Sequence, residues 1–135
     1  TQSTAIYKDF GLNRGALATT ISHDSHNLTV VYHTPEEAYL AAEAMRKCGG
    51  GVCVADGSEV TLLPLPVAGL MSQMVCSDVA KQIEAVQKKL DTMTDGTVSL
   101  LSASVMALPV LPGVIITDRG LVDGLSQQFI SQFEA

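Results

Sequence analysis

Residues 34–51 carry a helix whose start and stop are both written in the sequence, and no other segment constrains the fold as tightly. Thr34 is placed to cap the helix, Pro35 suits the first helical position, and Glu37 completes a capping box with Thr34. Ala38, Ala41, Ala42 and Met45 recur at helical spacing, while Glu36, Glu43, Arg46 and Lys47 fall off that stripe. Gly49-Gly50-Gly51 ends the helix, because glycine accepts the left-handed conformation required there. The same glycine run makes a poor phosphate cradle. Such cradles precede a helix N-terminus, and this one follows a C-terminus.

Strand-like stretches flank that helix. Residues 16–21 and 28–32 read as two strands, the second β-branched and aromatic in the way strands favour. After the glycines, Val52-Cys53-Val54-Ala55 and Glu59-Val60-Thr61-Leu62-Leu63 flank Asp56-Gly57, a strong hairpin signal. Leu63-Pro64-Leu65-Pro66-Val67-Ala68-Gly69-Leu70-Met71-Ser72 holds two prolines close together, which excludes a central strand and interrupts any helix. Ser77 is expected to cap a second long helix, Asp78 to about Leu90, with Val79, Ile83, Val86 and Leu90 on one face.

Beyond the Asp95-Gly96 turn, residues 98–107 fit either a strand or a helix around 100–106. Val114-Ile115-Ile116-Thr117 reads as a strand and Asp118-Arg119-Gly120 as a turn. The end through Phe129, Ile130 and Phe133 is a strand or a short helix. The sum is an α/β chain of the α+β kind, one domain over residues 1–135. It is expected to form a two-layer sandwich, a mostly antiparallel or mixed sheet with helices packed on it.

Composition narrows the partners. Hydrophobic residues make up 47% of the 135, charged residues only 16% and aromatics 4%, so Val, Leu, Ile, Ala and Met must build the core. So apolar a chain points to surface covered by another domain or subunit. Net charge is −6 and the eight Lys and Arg form no patch, which argues against nucleic acid, whose binding needs clustered cations. No apolar run reaches the ~20 residues of a membrane span, and nothing reads as a signal peptide. Cys48, Cys53 and Cys76 lack CxxC spacing and fit reduced thiols in a cytoplasm. The chain opens on Thr1 rather than Met, so it reads as a piece of something longer.

Between the first two strands lies Ser22-His23-Asp24-Ser25-His26-Asn27, which holds two of the three histidines of the chain. Six polar side chains there can form a plain turn, with Asp and Asn bonding their own backbone. They can equally bind a metal, orient a water or grip a nucleobase edge. His23, Asp24 and His26 are legitimate ligands for an accessory metal, yet a hydrolytic centre needs further ligands and a general base. Only His33 and scattered carboxylates remain, so no catalytic residue is assigned. Two classes stay open: a stand-alone small metal- or ligand-binding or assembly domain, and a module that covers a site carried on another domain.

The wording of the sequence adds a resemblance. Phe10-Gly11-Leu12, Arg14-Gly15-Ala16, His23-Asp24-Ser25-His26-Asn27, Gly49-Gly50-Gly51, the proline segment 63–72, Leu108-Pro109-Val110-Leu111-Pro112 and Thr117-Asp118-Arg119-Gly120-Leu121-Val122-Asp123 follow in order. Together they resemble the C-terminal domain of bacterial adenine deaminase, in the amidohydrolase superfamily. The resemblance implies a cytoplasmic, homo-oligomeric parent enzyme that hydrolyses adenine to hypoxanthine and ammonia at a binuclear manganese or iron centre. That centre sits in a catalytic barrel which these residues do not contain, so the domain alone is expected to be inactive, with no cofactor of its own. It would pack beside the barrel of the same protein. His23, Asp24, His26 and Asn27 would then be substrate-pocket candidates at the barrel mouth, with Arg14 and Asp118 able to pair with each other or with the barrel.

Overall fold

The computed structural model describes residues 1–133 and contains two antiparallel sheets and three helices, the α+β class expected. β1 (Ala16–Thr19), β2 (Thr29–Tyr32), β3 (Gly51–Asp56) and β4 (Glu59–Pro64) form a sheet in the order β2-β1-β3-β4. Helix α1 (Pro35–Cys48) leads from β2 to β3, and α2 (Cys76–Thr94) and the short α3 (Leu100–Val105) follow β4. A smaller sheet holds β5 (Val114–Thr117), β6 (Gly120–Asp123) and β7 (Gln128–Ile130) in that order.

Alternation along the strands splits the core into two faces. Ala16, Ala18, Cys53 and Ala55 point to the face where Ala41 and Met45 of α1 are buried. These small side chains let the helix approach closely: the Cys53 thiol sits 3.6 Å from the Ala41 carbonyl. Leu17, Val52, Val54 and Leu63 point the other way, into a larger cluster with Val86, Leu90 and Met93 of α2 and Ala103 of α3. The helices therefore flank the four-stranded sheet on both faces.

The ends of α1 follow the sequence signals. The Thr34 hydroxyl accepts from the Glu37 N–H at 3.4 Å and donates to the Glu37 carboxylate at 2.9 Å, and Gly49 closes the helix in the left-handed conformation. The start of α2 departs from expectation. Its cap is Val75 rather than Ser77, because the Asp78 N–H already closes on the Val75 carbonyl at 3.0 Å and draws Cys76 and Ser77 into the first turn. The helix also runs on to Thr94, where Asp95 takes a left-handed cap. Burial lies in its second half, at Val86, Leu90, Met93 and Thr94, while Ile83 is 43% exposed.

The two ambiguous segments resolve by local bonding. Ser99 accepts from the Ser102 N–H at 3.0 Å and starts α3 within residues 98–107. Residues 128–130 pair with β6 as an edge strand.

Candidate functional site

Strand register gathers three of the sequence motifs at one end of the main sheet. Thr19 at the end of β1 pairs with Thr29 at the start of β2 and with Val52 near the start of β3, and Gly51 pairs with Pro64 at the end of β4. The polar loop 22–27, the glycine run 49–51 and the proline segment 63–72 therefore share that end. His33 follows β2 at the opposite end, where its Nε2 lies 2.6 Å from the Leu12 carbonyl oxygen. It is too far along the sheet to complete a ligand set with the loop.

The loop is anchored from below and open above. Ser22 is 1% exposed and its hydroxyl accepts from Thr29 Oγ1 at 3.1 Å. Its carbonyl accepts the His26 N–H at 2.7 Å, and the His23 N–H donates to the Ser104 carbonyl of α3 at 2.8 Å. These bonds hold a costly backbone: Asp24 (φ 66) and His26 (φ 51) are both left-handed, at about 1–3 kcal/mol each. Such conformations persist only where the surroundings over-determine them.

His23 Nδ1 lies 2.9 Å from Asp24 Oδ1, with both side chains more than half exposed. A carboxylate at one ring nitrogen sets the tautomer and leaves Nε2 as the free basic position of the neutral ring. His26 and Asn27 are exposed beside them. The four candidates thus stand together on the surface as one oriented Asp–His pair, a second imidazole and an amide. Among the described residues no three His, Cys, Asp or Glu side chains group closely enough to hold a metal ion.

Two other sequence candidates sit elsewhere. Arg14 Nε pairs with Asp56 Oδ1 at 3.1 Å, not with Asp118, which accepts instead from the Thr1 hydroxyl. The reason is register: Ala16, two residues after Arg14, pairs with Ala55, so Arg14 reaches the β3–β4 turn. Asp118 lies in the small sheet, in the turn between β5 and β6. Thr20 is the residue that sequence reasoning passes over, and Ser22, named there only as part of the polar loop, is the loop's buried anchor. Thr20 bonds both the glycine run and the proline segment, yet a threonine at a strand end looks ordinary, and only its hydrogen bonds distinguish it.

The model of the adenine deaminase C-terminal domain family matches residues 1–128. The chain belongs to that family. It is similar to adenine deaminases from Methanothrix thermoacetophila (44% identical over 119 residues, 87% of this chain) and Moorella thermoacetica (41% over 125 residues, 91% of this chain). An Escherichia coli adenine deaminase is 41% identical over 119 residues. The chain spans only about 21% of the length of the first two relatives. An adenine deaminase C-terminal domain is thus a small part of a longer polypeptide in those proteins. Among the described residues no helix is long and apolar enough to cross a membrane.

Proposed function

We propose that residues 1–135 act as one accessory domain of an adenine deaminase, packed beside the catalytic barrel of the same polypeptide, and that loop 22–27 faces the mouth of that barrel. The carrying observation is the anchored, strained and solvent-facing Asp24–His23 pair, set at the sheet end where the family's glycine and proline segments also meet. Buried Ser22 and the bond to Ser104 fix the loop's base, while His23, Asp24, His26 and Asn27 are exposed.

In this reading the parent is a cytoplasmic oligomer that converts adenine and water to hypoxanthine and ammonia. Manganese or iron in the barrel would supply the water-activating chemistry. This chain's contribution is different. His23, His26 and Asn27 offer hydrogen-bonding groups at the edge of a purine, and the loop helps exclude bulk water, which strengthens the electrostatics of a closed site. No catalytic step is assigned to the chain on its own, and the 135-residue piece alone is expected to release no ammonia from adenine.

The test is His23→Ala and His26→Ala in the full-length deaminase, with turnover, metal content and thermal stability measured together. Reduced kcat at unchanged metal content and melting temperature supports the pocket role. Loss of one metal equivalent would instead make the loop an accessory metal site. Unchanged turnover in both variants would return the loop to a plain polar turn.

A further inference from the structure

Thr20 lies two residues before the anchored Ser22, and its hydroxyl reaches two other segments. It donates to the Gly69 carbonyl at 2.6 Å and accepts from the Gly51 N–H at 2.8 Å, while its own N–H donates to the Gly51 carbonyl at 2.9 Å. The packing around it leaves no slack. A Cβ on Gly50 would come within 2.6 Å of Gly69 Cα, and one on either glycine would lie 2.9 Å from Thr20 Oγ1.

The segment that Thr20 grips is a preformed turn. Val67 and Met71 exchange backbone hydrogen bonds at 3.1 Å in both directions, with Ala68 and Gly69 left-handed between them. Leu65 is tied to Gly50 by its N–H, but beyond it the chain leaves the sheet. Among the described residues, the bond from Thr20 is the only hydrogen bond tying residues 66–72 to the sheet. The turn displays Met71, 58% exposed, a flexible and polarizable side chain suited to contact with a flat apolar surface.

We infer that Thr20 is a positioning residue that holds the 67–71 turn in register with loop 22–27, so that the two form a single recognition surface. The polar half is His23 with Asp24, and the apolar half is Met71. One hydroxyl sets their relation, because the same residue that leads into the histidine loop carries the turn's tie. The inference rests on the reading that loop 22–27 faces the deaminase site.

Two variants test it, Thr20→Val, which keeps the shape and removes the hydroxyl, and Thr20→Ser, which keeps the hydroxyl. Amide hydrogen exchange on the 135-residue chain should show Gly51, Val67 and Met71 exchanging roughly fivefold to tenfold faster in the valine variant. Val54 in the central strand should be unchanged, and serine should restore protection. In the full-length deaminase, Thr20→Val should raise KM for adenine or lower kcat at unchanged metal content, again with rescue by serine. Uniform loosening of the whole chain, or a loosened turn with wild-type kinetics, would overturn the inference. Normal turnover in both His23→Ala and His26→Ala would sink the site reading itself, whatever the exchange data show.

Discussion

Lys89 of α2 places its Nζ 2.9 Å from Asp56 Oδ2 at the end of β3, joining the helix to the hairpin at the sheet end opposite the histidine loop. Arg14 reaches the same carboxylate from the start of β1, and Lys89 also contacts Glu59 at 3.3 Å. The Lys89 hydrogen bond first, and the Arg14 bond next, hold the Asp56 carboxyl below its ordinary value of 3.8. A carboxyl lowered by folding stabilises the fold fully above its unfolded value, and that contribution is lost as pH falls through the lower folded value. Asp56→Asn should therefore be less stable than the parent chain at neutral pH. The gap should narrow in denaturant titrations carried below 3.8. A gap independent of pH would show that the carboxylate's charge is not what matters.

Gly51 opens β3 at φ 144, and a Cβ there would strike the Leu63 carbonyl across the β3–β4 ladder. The obstacle is backbone within the sheet, so it cannot swing aside as a side chain would. Gly51→Ala should cost about 3 kcal/mol or more, the range of strained backbone combined with steric overlap. Gly57→Ala makes the comparison, since a Cβ at Gly57 meets nothing within 4 Å. Urea midpoints of the two variants settle the contrast: nearly equal losses would disprove the clash.

Helix α2 supplies a second contrast. Leu90 is fully buried in the larger core cluster, and Ile83 on the same helix is 43% exposed. Leu90→Ala should cost about 2–5 kcal/mol by opening a cavity, whereas Ile83→Ala should stay within about 1 kcal/mol. Thermal melts of the two variants check the order, and a larger loss at Ile83 than at Leu90 would mean that the other face of α2 packs on the sheet.

The cysteines should react in order of exposure. Cys76 is exposed at the start of α2, Cys48 is half-buried, and Cys53 is buried between the sheet and α1. Burial, then the neighbouring Cys48 thiol, pushes the Cys53 thiol up to about 12, leaving almost no thiolate at neutral pH. Iodoacetamide followed by peptide mass spectrometry should label Cys76 first, and Cys53 only once the chain is unfolded. Early labelling of Cys53 in the native protein would contradict its place in the core.

What the sequence determined by itself was local or compositional. Thr34, Glu37 and the glycine run placed α1, because caps and stops act within a few residues of themselves. Asp56-Gly57 placed the hairpin, and the ordered motifs from Phe10 to Asp123 were enough to indicate the family that the match over residues 1–128 shows. The tertiary structure decided what depends on distant partners. It exposed Ile83, sent Arg14 to Asp56 rather than Asp118, and put β5, β6 and β7 in a sheet of their own. It also brought Thr20 against Gly51 and Gly69, residues 31 and 49 positions further along the chain. No periodicity or cap encodes such a meeting, since it arises only when antiparallel register sets strand ends side by side.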